Sequence, residues 1–372
     1  MAEPLKNAFG ADVAVRIADM IEPVAPAFPR ERFIADALDG YEALELTPRA
    51  RRIAAALADA LPPDPETAIG VLVESLGPPL DEVASTGMAS FVYLPYVFYV
   101  ADNGLACVEA SLDAQHAITR RFTCEFSIRA FIERAPERTM PRLARWTRDP
   151  SEHVRRLVSD GTRPRLPWAP RLRRFMDDPA PVVGLLEVLK DDPSEYVRRS
   201  VANNLNDISK DRPEVAVAVA TRWMRDAEPD RRRLVSHGLR TLVKAGDPAA
   251  LAALGFVPGA PADVTDLTVA PAEAMIGGSV DVRAEVGNPA RVTARLVVDL
   301  RVHFVKSRGA IGPKVFKVRT LELAPGERVA IRKRISVRQH STRTHHPVSY
   351  THLRAHETND LISYAVFCLK RG

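Results

Sequence analysis

One phrase occurs twice in this chain. Asp149-Pro150-Ser151-Glu152-His153-Val154-Arg155-Arg156 returns as Asp192-Pro193-Ser194-Glu195-Tyr196-Val197-Arg198-Arg199, a period of 43 residues. Recurrence at that spacing, in Leu/Ala/Val-rich sequence, constrains the fold more than any other feature. A helix pair of this length cannot bury its apolar face alone and must stack on copies of itself. Each phrase reads as a helix start: Asp or Ser caps the free N–H groups, Pro occupies the first turn where its missing donor costs nothing, and Glu sits near the positive end of the helix dipole. Looser echoes stand at Ile128-Arg129-Ala130-Phe131-Ile132 and at Arg231-Arg232-Arg233-Leu234-Val235. The four matching positions are expected to line one face with guanidinium groups, which suits a polyanion and phosphate most of all.

From residue 12 to about 255 the pattern is helical, and the expected architecture is a HEAT-like α-solenoid spanning residues 1–258. Val13, Ile17, Met20 and Ile21 share one helical face, and Pro48 to Leu57 opens a further helix with Thr47 as its cap. The aromatic stretch Met88 to Val100 (Phe91, Tyr93, Tyr96, Phe98, Tyr99) reads as a helix buried on all sides rather than a base-stacking platform. At Gly161-Thr162-Arg163-Pro164-Arg165-Leu166-Pro167-Trp168-Ala169-Pro170 three prolines and a glycine stop the helix, predicting a rigid loop that carries two arginines and a tryptophan.

Beyond the linker at Gly255 to Pro261 the texture changes to period two. Ser279 to Val286 and Ala294 to Val305 alternate as strands, with turns at Gly287-Asn288-Pro289 and Ala324-Pro325-Gly326-Glu327. Short strands at this spacing predict a small all-β Ig-like sandwich over 259–347. Residues 301–347 hold twelve Lys and Arg, among them Lys314, Lys317, Arg319, Arg332 and Arg334, against Glu322 and Glu327. Such a segment predicts a contact surface for something negative.

Composition narrows the classes. No apolar run is long enough to span a bilayer and the N-terminus lacks a signal-peptide layout, so a soluble, cytoplasmic protein is expected. Three cysteines (Cys107, Cys124, Cys368) with no CxxC pair predict neither a disulfide framework nor a metal site. His345-His346 lacks the convergent partners a metal would need. Three residues stand out as carriers of chemistry. Glu125 opens a helix whose other faces are largely apolar; it is either a first-turn acid favoured by the dipole or a carboxylate held in a cleft. Trp168 is a loop anchor or a π-face for a nucleobase. Asp207, in the crowd Asn203-Asn204-Leu205-Asn206-Asp207, is a helix-end cap or a second carboxylate.

The last segment differs in kind. Val348-Ser349-Tyr350-Thr351-His352-Leu353-Arg354-Ala355-His356-Glu357-Thr358 resembles one reading frame of a transposase adapter used in sequencing libraries. Ile362 to Leu369 resembles the translated flow-cell primer, with Asn359-Asp360-Leu361 as a barcode between them. Residues 348–372 are therefore set apart as an adapter-derived tail, expected to be disordered. The sandwich is expected to lack its last strand and to expose an unpaired edge.

Read together, the repeats, the Glu125 helix, the loop Thr162-Arg163-Pro164-Arg165-Leu166-Pro167-Trp168 and the basic β module resemble the AlkC-type DNA alkylation-repair glycosylases. Pro4-Leu5-Lys6-Asn7, Ala37 to Leu46 and His340-Ser341-Thr342-Arg343 extend the likeness over nearly all of 1–347. The resemblance implies removal of cationic N-alkylated bases from double-stranded DNA, in base excision repair near the bacterial nucleoid, by a monomer that needs no cofactor. It puts the catalytic carboxylates at Glu125 and Asp207, with Trp168 against the lesion. Phosphate ligands would come from Arg155, Arg156, Arg163, Arg165, Arg198 and Arg199, although HEAT units also use such residues to bridge neighbouring repeats. The Ig-like module would grip the duplex, at the minor groove, through Lys314, Lys317, Arg319 and Arg332. The alternative is a non-catalytic HEAT-repeat scaffold for DNA or protein, with both carboxylates as caps.

Overall fold

The computed structural model describes residues 5–80, 87–257, 260–305, 311–338, 349–356 and 364–370. It divides into two compact units, Met1–Leu239 and Arg240–Gly372. Lys306, Arg308, Arg343 and the His345-His346 pair lie outside the described residues.

The first unit is an array of helices: α1 (Asp12–Ile21), α2 (Arg30–Leu38), α3 (Leu46–Ala60), α4 (Pro65–Glu74), α5 (Leu94–Asn103), α6 (Val108–Thr119), α7 (Ile128–Arg134), α8 (Pro136–Trp146), α9 (Glu152–Gly161), α10 (Arg173–Asp177), α11 (Ala180–Leu189), α12 (Glu195–Ile208), α13 (Pro213–Trp223) and α14 (Pro229–Gly238). Helix α12 packs on α9 on one side and on α14 on the other, the stacking that the repeated phrase predicts. Val13, Ile17 and Ile21 are buried on α1 with Met20 at the edge, and every residue from Leu94 to Val100 on α5 is buried. The aromatic stretch is thus core, closed by pairs such as Phe91 with Phe122 and Tyr93 with Tyr96.

The helix starts differ in detail from the sequence reading. Ser151 and Ser194 are the residues preceding α9 and α12, yet neither side chain caps its helix. Instead Asp149 and Asp192 each accept, through Oδ1, the backbone N–H two residues on, both at 2.9 Å. Pro150 and Pro193 therefore lie in an Asp-anchored turn ahead of the helix, not in its first turn. Thr47 is likewise no cap: α3 begins at Leu46 after Glu45. Pro48 falls in that first turn, among the N–H groups that have no partner in any helix.

The second unit holds two short helices, α15 (Arg240–Ala245) and α16 (Pro248–Ala253), and the strands β1 (Asp263–Ala270), β2 (Glu273–Met275), β3 (Ser279–Gly287), β4 (Ala294–Val305), β5 (Ile311–Leu323), β6 (Arg328–Ser336), β7 (Ser349–His356) and β8 (Tyr364–Lys370). They form one sheet in the order β1-β3-β6 and another in the order β2-β8-β7-β4-β5. Val280, Val282, Leu300, Val302 and Ile335 fill the space between, so the Ig-like sandwich is present. Both predicted turns fall between strands, and Asn288 Nδ2 closes one end by donating to the carbonyls of Leu323 and Val292, both at 2.9 Å.

Two stretches of the segment set apart in the sequence, 349–356 and 364–370, are described as strands. β7 pairs antiparallel with β4, and β8 joins β7 to β2. An unpaired strand edge offers a row of backbone donors and acceptors to any extended segment, whatever its origin.

Candidate active site

Glu125 lies in the turn three residues before α7, and Asp207 lies in the last turn of α12. The sequence reading puts both at helix ends, but Asp207 caps nothing. Its side chain is 1 % exposed and accepts from Arg163 Nε and Lys210 Nζ, both at 2.8 Å. Arg163 also approaches Asp160 at 3.7 Å, and Asp160 receives Arg156 at 2.5 Å. Arg156 in turn reaches Glu125 Oε2 at 3.3 Å. A continuous chain of alternating charge thus runs Glu125, Arg156, Asp160, Arg163, Asp207, Lys210, and it brings the two predicted carboxylates into one site.

Local sequence explains the assembly. Arg156 and Asp160 are one helical turn apart on α9, a spacing at which opposite charges meet. Gly161 ends that helix against the start of α7: a Cβ there would stand 2.5 Å from Ile128 Cγ2, so only glycine lets α9 approach the segment carrying Glu125. Asn204 ties α12 to the same place by donating to the Ser159 carbonyl at 2.8 Å and to Thr162 Oγ1 at 3.1 Å.

The two carboxylates are not equivalent. Asp207 is buried and held by two cations. Glu125 keeps 15 % exposure and has the longer contact, because Arg156 is closer to Asp160. Thr123 Oγ1 adds a hydrogen bond to Glu125 at 3.2 Å. Burial pushes the Glu125 carboxyl above the usual range; Arg156 pulls it back and the nearby Asp160 pushes it further up. Glu125 is therefore the least committed anion of the chain, and the one a new cation would meet. Tyr196 completes the surroundings, its ring centroid 4.7 Å from the Arg156 guanidinium.

Trp168 is not an anchor. It is 83 % exposed at the tip of the predicted loop, with a positive φ of 63° that only surrounding structure can maintain in a non-glycine residue. The anchors are Leu166 and Leu172, both buried. Asp160, Lys210, Thr123 and Tyr196 went unmarked in the sequence; the spacing of four from Arg156 to Asp160 was the one available signal.

Three likenesses bear on this arrangement. The family described as "Uncharacterised protein YhaZ, C-terminal Ig-like domain" matches residues 263–350. The YhaZ protein of Bacillus subtilis (strain 168) is 32% identical over 348 residues, 93% of this chain and 94% of that one. The solved structure of the Pseudomonas fluorescens alkylpurine DNA glycosylase AlkC, bound to DNA containing an abasic site analog, superposes with a TM-score of 0.89. It is 32% identical and covers 99% of this chain and 100% of that one. The chain belongs to the YhaZ/AlkC family.

In this YhaZ/AlkC family member the arginines of the repeated phrase divide by function. Arg155 grips Asp192 with two bonds, at 2.6 and 3.0 Å, and clips the carbonyls of Asp149 and Pro150. Arg198 repeats the device on Asp230 and the carbonyls of Asp192 and Pro193. These two are bridges between repeats, the use of such residues that the sequence reading set beside phosphate binding. Arg163 is committed to Asp207, and Arg165 to Asp211 at 2.5 and 2.8 Å. Arg199 is different: it is 69% exposed, with only an i,i+4 contact to Glu195.

On the sandwich, Lys314, Lys317, Arg319 and Arg332 are all exposed. Lys314 lies over the Phe316 ring at 5.3 Å. Lys317 and Arg319 flank Val318, where the β4–β5 register shifts. Arg332 shares Asp281 with Arg334, and these two hold the Asp281 carboxyl well below the usual range. Among the described residues no group of His, Cys, Asp and Glu could hold a metal ion, and no helix is long and apolar enough to cross a membrane.

Proposed function

We propose that this protein is a DNA glycosylase that excises cationic N-alkylated bases, of the 3-methyladenine, 3-methylcytosine and 1-methyladenine class, from duplex DNA. The observation that carries the reading is the charge chain joining Glu125 to Asp207, with the exposed Trp168 five residues beyond its member Arg163. A base methylated on a ring nitrogen already bears positive charge and leaves as a neutral molecule, so no general acid is required. What remains is to stabilise the positive sugar as the N-glycosidic bond opens and to deliver a water to it.

Glu125 is suited to the first task. It is partly desolvated, which strengthens its field, and a ligand cation can take its free lone pairs while Arg156 stays with Asp160. Asp207 supplements that field and fixes Arg163; a carboxylate has about four acceptor positions, so the two it uses leave room for a water. Trp168 offers its π-face to the charged base. Arg199 and the basic strands β5 and β6 engage phosphates, and the protein acts as a monomer in the cytoplasm.

The test is release of free base from duplexes bearing either N3-methyladenine or its uncharged 3-deaza isostere. The cationic lesion is released and the isostere is not. DNA binding with no release of either would favour the scaffold, with Glu125 and Asp207 as purely structural charges.

A further inference from the structure

The loop that carries Trp168 has few backbone bonds between its two limbs. Pro164, Pro167 and Pro170 have no N–H to donate, and the backbone bonds across it are Leu172 N to Pro164 O at 3.1 Å and Ala169 N to Leu166 O at 3.4 Å. Arg163 and Arg165 tie the first limb to Asp207 and Asp211, and Leu166 and Leu172 are buried, but the side chain that joins the two limbs is another. Arg129, on α7, is 4% exposed. Its Nη1 donates to the carbonyls of Gly161 at 3.1 Å and Arg163 at 2.7 Å, and its Nη2 donates to the Pro170 carbonyl at 2.5 Å. Those three carbonyls stand on both limbs of the loop, before and after Trp168.

Arg129 stands one helical turn beyond Glu125, so the segment that bears the least committed carboxylate also bears the clamp on the tryptophan loop. We propose that Arg129 is a positioning residue: its guanidinium fork joins the two limbs of the Gly161–Pro170 loop and thereby sets where Trp168 stands relative to Glu125. The cost of this arrangement is visible. Burial pulls the Arg129 guanidinium down to about 10, and its Nε is buried without a partner. Glu133, Asp207 and Glu125 offset that burial through space. A buried cation spent on three carbonyls is intelligible when the geometry of those carbonyls matters. The inference rests on the reading of Trp168 as a lesion contact.

Arg129→Lys keeps the charge but cannot span three carbonyls. Single-turnover excision is expected to fall about 10- to 100-fold, the scale of a misplaced binding group, with DNA affinity nearly unchanged. Combined with Trp168→Ala, Arg129→Lys is expected to add no further loss. Pro170→Gly, which loosens the loop while leaving Arg129 and the carbonyl it binds in the chain, reproduces the defect and covers the case in which Arg129→Lys does not fold. Acrylamide quenching of Trp168, taken as the difference from Trp168→Phe, changes in both loop variants. An undiminished rate in Arg129→Lys or Pro170→Gly, or losses that multiply with Trp168→Ala, would overturn the proposal. If the unaltered protein excises nothing, the glycosylase reading fails, and quenching alone decides: a Trp168 signal equal in all forms overturns the clamp.

Discussion

The two copies of the repeated phrase fold alike and do different things. In both, the first arginine, Arg155 or Arg198, clips its own turn and bridges to an aspartate of the next repeat. The second arginines part company. Arg156 has Asp160 four residues on and Glu125 in the turn before α7, whereas Arg199 has Asn203 in the place of Asp160 and stays exposed. The repeat supplies the scaffold, and the site arises where one copy departs from it.

Three variants can break that comparison. The largest effect is expected at the shared bridge: Asp192→Ala strands the part-buried Arg155, and removing one partner of a buried pair costs roughly 3 kcal/mol. Urea unfolding of the helical unit checks it, and an unchanged midpoint would mean the bridges are ornamental. Next is Arg156→Ala, expected to lower excision by about 10- to 100-fold, the range seen when a group organising transition-state charge is lost. Its pH signature has a definite sign. In the proposed mechanism ionised Glu125 is the active form, and its carboxyl is already raised by burial, so the rate is expected to fall as pH falls through a value above the usual carboxylate range. Arg156 lowers that value, so its removal moves the acid limb to higher pH. The smallest effect belongs to Arg199→Ala, which weakens DNA binding and reduces the slope of log affinity against log salt by about 1. Equal pH profiles in Arg156→Ala and Arg199→Ala would erase the distinction between the copies.

Much of this was legible in the sequence. A repeat at fixed period and a switch from helical to period-two patterning are one-dimensional signals, and they placed the helical array, the Pro-rich loop and the sandwich. Glu125, Asp207 and Trp168 stood out by position, but spacing alone left each with an ordinary structural alternative, and only the likeness to a known family favoured the chemical reading. What stayed hidden is the pairing between distant segments. Nothing local marks Arg155 as the partner of Asp192, Arg163 as the partner of Asp207, or Arg129 as the clamp on a loop that begins 32 residues later. The pairing of β7 with β4 is hidden for a related reason, because strand pairing is decided by backbone groups that every sequence carries.

The central claim is that Glu125 acts on the lesion and not on the fold. Since its carboxyl is raised in the folded protein, its ionisation opposes folding in full above that raised value, and the penalty fades as pH falls from there to the ordinary value of the unfolded chain. Glu125→Gln should therefore melt no lower than the unaltered protein at neutral pH and bind lesion-bearing duplex with similar affinity. Single-turnover release of methylated base should fall by ~100-fold or more. Release at the unaltered rate by a folded, DNA-bound Glu125→Gln protein would contradict the account.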